Sequence, residues 1–401
     1  MRETRVVAPG TPPKRAARTQ PKPQPTMIPT SLPRTVRYLI ALLVAGLALA
    51  GGLAGLALAT ADTAPIAEMA ALRTALSRAA QAGAGQHAPE PFRRATGAAD
   101  SAMAAWRIEN GRLYYRRNYD RVREIAIRGR RFAETAERDA ASRRASLHET
   151  AAAREAVLNR AIAHFRTRYA TLPLDPSVFE SVGRAELLAL EGRTARNGGE
   201  AARALDTFAA AQRQVDQATR QAEQTVAAYL AMLPTWREWV IEIVDWSRRE
   251  RRPAIVIDKL ARACSLYVNG EPVAVYEAEF GPNWMGDKRH VGDRATPEGH
   301  YRVTRKKANG ETRYHRALLL DYPNDEDRRR FVDSVRTGSL PDSLTIGNLI
   351  EIHGEGGREM NWTDGCVALA NGDMERLFDR AEVGTPVIIV GSLTGFPPPA
   401  R

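Results

Sequence analysis

The chain has 401 residues, 44% of them apolar, and a formal net charge of +11. That length admits two or three domains, and so ordinary an apolar content excludes a polytopic membrane protein. The positive charge sits in the N-terminal tail and the arginine-rich middle, while carboxylates slightly outnumber Lys and Arg from residue 253 onward. Without a basic face interleaved with stacking aromatics, no nucleic-acid partner is expected.

Residues 1–37 are basic and Pro-rich: Arg2, Arg5, Lys14, Arg15, Arg18, Lys22, Arg34 and Arg37 stand against a single acid, Glu3. Such a segment reads as a disordered cytoplasmic tail. Residues 38–59 carry no charge, and about 20 such residues in a helix span the hydrocarbon core. The cations before this run, against a mixed flank of Asp62, Glu68, Arg73 and Arg78, orient it with the N-terminus in the cytoplasm. Everything from about residue 62 is then periplasmic or otherwise extracytoplasmic, carried by a single pass through the inner (cytoplasmic) membrane. Ala59-Thr60-Ala61 resembles a signal cleavage site, but a signal h-region is only about 7 to 15 residues, so an uncleaved anchor is favoured. Gly51 and Gly55 have a helix-pairing spacing, which glycine tolerated in lipid also explains.

Residues 60–250 are rich in Ala, Arg, Glu and Gln and read as a helical, coiled-coil-like region. From Tyr119 to Leu172 there is no proline and one glycine, Gly129, so one long helix is predicted, ended by Pro173 and Pro176. A second is predicted from Gly199 to Leu233, with Ala201, Leu205, Phe208, Gln212, Val215, Thr219, Ala222, Val226, Tyr229 and Leu233 as a heptad seam. A shorter helix is predicted near 178–192. The region reads first as a spacer, with a self-associating or partner-binding coiled coil and a folding support as alternatives. Trp236, Trp239, Val240, Ile243 and Trp246 form an aromatic stripe at helical spacing that reads as core packing.

At Pro253 the period changes from helix to strand. Strands are predicted over 254–257, 264–268, 271–276, 299–306, 317–321, 349–353 and 386–390, the second and third joined by an Asn269-Gly270 turn. A helix near 372–381 is assigned Asn371 as its N-cap. The fold class is therefore multi-domain: an N-terminal transmembrane helix, an α-helical middle, and a mainly β domain over 253–391, followed by a disordered tail at 392–401.

Two cysteines, Cys264 and Cys366, are too few for a disulfide framework and neither has metal-site spacing, although one bridge between them is allowed. Cys264 lies in an apolar strand and reads as inert. His353 and Cys366 stand thirteen positions apart, the cysteine preceded by Gly365. A thiol of pKa about 8.5 needs a nearby base or cation to become a nucleophile. His353 at a strand end could be that base, and Gly365 would let backbone N–H groups approach a developing oxyanion. On spacing alone the bland reading stays open, a small buried thiol and a satisfied histidine. The Gly- and Pro-rich stretch 281–299, with Trp284 and Lys288, could line a groove beside them.

The run Gly292-Asp293-x-x-Thr296-Pro297-Glu298-Gly299-x-Tyr301, then Ile352-His353-Gly354, then Gly365-Cys366-Val367, resembles the YkuD-type L,D-transpeptidase catalytic domain. The resemblance covers about residues 253–391. It implies a cysteine acyltransferase that forms a thioacyl-enzyme on peptidoglycan stem peptides, needing no metal or cofactor. An amine, or a lipoprotein or cell-wall protein, would be the acceptor. By match, Cys366 is the nucleophile, His353 the general base, and the Gly365 and Cys366 amides the oxyanion hole. Gly354, Thr363 and Asp364 support them, and Trp284, Lys288, Arg358 and Trp362 are groove candidates. Thr363-Asp364 before Gly-Cys and Ala368 after it depart from the commonest Ser-His-Gly-Cys-x-Arg form and resemble a divergent Trp-Thr-x-Gly-Cys-x-Ala branch. Arg358 or Lys288 could replace the missing arginine. A hydrolase of the same fold and an inactive wall-binding module on a helical stalk are the alternatives.

Overall fold

The computed structural model describes residues 33–59 and 62–396; most of the expected N-terminal tail and residues 397–401 lie outside the described residues. The chain divides into two units, 1–141 and 142–401.

In the first unit, α1 (Arg34–Ala59) is apolar, and its stretch Arg34–Leu56, of mean hydropathy 2.4, is long and apolar enough to cross a membrane. It starts ahead of the apolar run and takes in Arg34 and Arg37, because the Pro33 carbonyl accepts the first helical N–H groups, those of Val36 and Arg37. α2 (Ile66–Gln81), α3 (Ala84–His87), α4 (Pro89–Asn110) and the start of α5 (Asp120–Tyr169) then pack through small residues. Ala75, Ala95 and Ala133 meet in one cluster, and Ala79, Ala84, Ala88, Ala136 and Ala140 in another. A Cβ on Gly129 would come within 2.9 Å of Ala98 Cβ, so these helices approach as closely as their side chains allow. Asp62 fastens the start of α5: its carboxylate accepts the Tyr119 N–H at 2.6 Å and pairs with Arg123 at 2.5 Å.

In the second unit the end of α5 packs with α6 (Pro176–Asn197) and α7 (Ala201–Leu230). The Asp175 side chain accepts the Ser177 N–H and so caps α6, and Gly199, at φ +85°, turns the chain into α7. The α7 seam differs from the expected one. Ala204, Ala211 and Ala218 are buried where Leu205, Gln212 and Thr219 were expected, and these three are only half-buried. Alanine wins because α6 lies close: Gly192 has no room for a Cβ, which would sit 2.5 Å from Phe208. Glu155 on α5 is buried and paired with Arg193 and Arg196 of α6 at 2.6 and 3.1 Å.

The strands are β1 (Pro253–Asp258), β2 (Ala263–Val268), β3 (Glu271–Glu277), β4 (Gly299–Lys307), β5 (Ala317–Leu320), β6 (Glu351–His353), β7 (Val367–Ala368) and β8 (Pro386–Val390). They form one sheet in the order β3-β2-β1-β8-β4-β5-β6-β7. The pairs β1–β8 and β6–β7 are parallel and the rest antiparallel. Asn269 and Gly270, both at positive φ, make the expected hairpin turn. Past β3, Glu279 bridges Ala368 of β7 through two backbone hydrogen bonds of 2.8 and 2.9 Å, so the sheet curls round and its ends meet.

Side-chain alternation assigns the two faces of β1. Ile255 and Ile257 point into the curl, with Leu266, Tyr301, Leu318, Ile352, Val387 and Ile389. Ala254 and Val256 point outward, with Ile388 and Val390, onto Trp236 and Ile243 of α8 (Leu233–Glu250). The aromatic stripe is therefore core packing. α9 (Asp325–Arg336) was not expected, because most of it is charged; a capping box of Asn324 and Asp327 starts it. α10 (Asn371–Arg380) begins after Ala370, so Asn371 is not its N-cap. The Asn371 side chain instead accepts the Glu355 N–H at 2.7 Å, which holds the loop after β6. Residues 392–396, expected in a disordered tail, belong to the fold: Phe396 stacks on Tyr169 with ring centroids 6.1 Å apart.

Candidate active site

The β6–β7 ladder brings the two chemical residues together. Ile352 pairs with Val367 and His353 with Ala368, so Cys366, one residue before Val367, stands level with Glu351. Residues two apart on a strand share a face, and the Cys366 and His353 side chains therefore lie on the same side of the ladder. Cys366 is half-buried and its thiol donates to the Leu349 carbonyl at 3.6 Å. Leu349 itself sits at φ +58°, which explains why β6 begins at Glu351 and not at Leu349 as expected. Cys264 is fully buried, both cysteines are free, and burial pushes the Cys264 thiol up to about 12.

His353 is fully buried. Its Nδ1 lies 2.6 Å from the Gly354 carbonyl oxygen. A carbonyl only accepts, so Nδ1 carries the proton and Nε2 presents a lone pair. That Nε2 has no hydrogen-bond partner among the described residues. Burial pulls the imidazole down to about 4, against the opposing Gly354 hydrogen bond, and the charges of Arg313 and Arg358 depress it further. Burial likewise raises the Cys366 thiol to about 11, opposed by a hydrogen bond from the Glu351 backbone and by the charges of Arg313 and Lys288. The resting pair is thus neutral thiol and neutral imidazole.

Two aromatic rings enclose the base. Tyr314 stacks on His353 at 3.5 Å with 5° between planes, and Trp362 meets the same ring edge-on at 5.8 Å. Arg358 lies 3.7 Å above Trp362 and Arg313 lies 4.8 Å over Tyr314. The Trp362 indole is fixed by Glu279, which accepts its Nε1–H at 2.7 Å. Sequence reasoning did not single out Tyr314, Arg313 or Glu279, because no periodicity or motif ties them to the His-Cys pair.

Thr363 closes the loop before the nucleophile: its hydroxyl donates to the Cys366 carbonyl at 2.7 Å and accepts the Gly365 N–H at 3.2 Å. The Gly365 amide assigned to the oxyanion hole is therefore already engaged. Lys288 is buried and pairs with Asp293 at 2.7 Å, close beneath Gly365. Asp364 points to solvent, its carboxylate 3.9 Å from Arg294. Trp284 packs edge-on against Tyr229 at 6.4 Å and lines a cleft with Lys259, Arg262 and Asn361. A Cβ on Gly354 would lie 2.6 Å from the Asn371 side-chain oxygen, so a larger residue here would push that oxygen away from the Glu355 N–H it accepts.

Gly365 sits at φ +126°, and a Cβ there would lie 2.6 Å from the Ala295 carbonyl oxygen. Gly365→Ala is expected to displace Cys366 and slow its acylation about 100-fold, the scale a 1 Å misplacement costs. Rapid-quench mass spectrometry of the folded variant checks this; a rate within roughly threefold of wild type would refute it.

Residues 252–389 match the family model of the YkuD L,D-transpeptidase catalytic domain. Solved structures with similar segments include Bd1075 of Bdellovibrio bacteriovorus, at 23% identity and TM-score 0.28, covering 35% of this chain and 48% of that one. An L,D-transpeptidase from Mycobacterium smegmatis matches at 18% identity and TM-score 0.21, covering 34% and 58%. L,D-transpeptidase 1 of Mycobacterium tuberculosis matches at 19% and 0.21, covering 35% and 62%. The chain spans less than two thirds of each of these. It matches none of the curated proteins compared with it.

Proposed function

We propose, from the L,D-transpeptidase catalytic domain at residues 252–389, that the chain is a membrane-anchored cysteine transpeptidase acting on peptidoglycan stem peptides. The observation that carries this reading is the unpartnered Nε2 of a buried, neutral His353 on the same face as Cys366. Nε2 takes the thiol proton as sulfur attacks a stem-peptide carbonyl, and the imidazolium returns that proton to the departing amine. The thioester left on Cys366 is then attacked by an acceptor amine, whose proton passes to Nε2 before the thiol is released. With the Gly365 N–H held by Thr363, the Cys366 N–H is the amide of that pair left to meet the oxyanion. Arg358 and Arg313, 3.7 and 4.8 Å from the centres of the Trp362 and Tyr314 rings, suit a carboxylate on the peptide. α1, with basic residues ahead of it, would hold the domain on the extracytoplasmic side.

Incubation with a carbapenem followed by intact-mass analysis should give one adduct, lost in Cys366→Ala; an adduct that persists on Cys264 overturns the assignment. Muropeptide profiling should show new crosslinks. Free peptides alone would assign hydrolysis in place of transfer.

A further inference from the structure

The segment between β3 and β4 is the floor on which the nucleophile rests. Asp293 folds it by accepting from Lys288 Nζ and from the N–H groups of Arg289, His290 and Ala295, at 2.6 to 3.0 Å. The same segment places the Ala295 carbonyl and the Lys288 ammonium against Gly365, 2.6 and 3.4 Å from where a Cβ would be. This floor is held from beneath by Lys259, whose side chain is wholly buried. Its ammonium donates to the Gly286 carbonyl at 2.7 Å and the Thr296 carbonyl at 2.9 Å, and meets Glu298 Oε1 at 2.6 Å.

Glu298 Oε1 accepts one further hydrogen bond, from the Tyr229 hydroxyl at 2.8 Å. Tyr229 belongs to α7, ahead of the matched catalytic domain. Its ring is wedged edge-on between Trp236, at 5.0 Å, and Trp284, at 6.4 Å. Its hydroxyl is packed so closely that a Cβ on Gly391 would fall 2.4 Å from it. A continuous line of hydrogen bonds therefore runs from α7 through Glu298 and Lys259 to the two carbonyls that bracket the floor.

We propose that Tyr229 is a positioning residue for Cys366: through Glu298 and Lys259 it sets the height of the segment that holds Lys288 beneath the nucleophile, which makes α7 part of the catalytic unit. The inference rests on Cys366 as the nucleophile but not on which acyl acceptor is used. Lys288 is one of five charged or titratable groups around the thiol; the others are Glu351 and His353 on β6 and Arg313 and Tyr314 before β5. Only Lys288 is carried by the floor, so losing the Tyr229 hydroxyl should weaken one cationic influence and leave the rest.

The test is the pH dependence of Cys366 alkylation by iodoacetamide, followed peptide by peptide in the full-length protein in detergent. Tyr229→Phe keeps the ring packing and removes the hydroxyl. Its Cys366 profile is expected to move to higher pH, with alkylation at pH 8 about three to ten times slower, as half to one unit of thiol pKa produces. Trp236→Phe is the control. It loosens the same packing, and the Trp236 indole N–H has no partner among the described residues to lose, so its melting temperature should fall with the Cys366 profile unmoved. A Tyr229→Phe profile that overlays wild type, or an equal shift in both variants, overturns the proposal. Because alkylation needs no peptidoglycan, a protein that alkylates normally yet forms no acyl adduct fails the transpeptidase reading and not this one.

Discussion

Replacement of His353 by alanine is expected to slow acylation of Cys366 by roughly 10² to 10⁴, the usual worth of a positioned general base. The reason is that the resting thiol, raised to about 11, supplies almost no thiolate at neutral pH without help. The pH profile should separate the two enzymes. In the wild type, Nε2 accepts a proton only while the imidazole is neutral, so the rate should fall on the acid side near pH 4 rather than near the ordinary histidine value of 6.5. In the variant only thiolate reacts, and the rate should climb about tenfold per pH unit toward the thiol's own pKa. Carbapenem acylation measured by rapid quench from about pH 4 to 10 reads both limbs. A loss smaller than about tenfold would remove His353 from the base role.

Lys259→Met should cost stability rather than chemistry alone. Removing the buried ammonium leaves the Glu298 carboxylate with Tyr229 as its remaining donor and orphans the Gly286 and Thr296 carbonyls. Breaking a buried pair from one side costs about 3 to 5 kcal/mol, well above the value of an exposed ion pair. Urea unfolding of the detergent-solubilised protein measures it. Adding Glu298→Gln should recover part of the loss by removing the stranded charge, and a single-variant cost under about 1 kcal/mol would mean the ammonium is not desolvated as described.

The longer elements were legible from sequence for local reasons. α5 runs through a proline-free stretch and stops before Pro173, and the Asn269-Gly270 turn needs two residues at positive φ, which this pair accepts. The α7 seam was displaced onto Ala204, Ala211 and Ala218 because the distance to α6, set by Gly192 against Phe208, is not written in α7 itself. α9 escaped notice since a helix stabilised by its cap and charges has little apolar stripe to find. The orientation of Trp284 was illegible for a similar reason: nothing in its loop's own residues shows that the ring turns toward Tyr229.

By itself the sequence determined an apolar helix near the start, a helical middle, a β-rich end and the His353-Cys366 pair, all features of neighbouring residues and their spacing. Only the tertiary structure decided what surrounds that pair. The Glu279–Ala368 bridge closes the sheet and brings Trp362 under the control of Glu279. The loop before β5 lays Tyr314 on His353, and α7 reaches Glu298 across 69 positions of sequence. Such contacts depend on how a curled sheet and its covering helices pack, and no local pattern of residues encodes that.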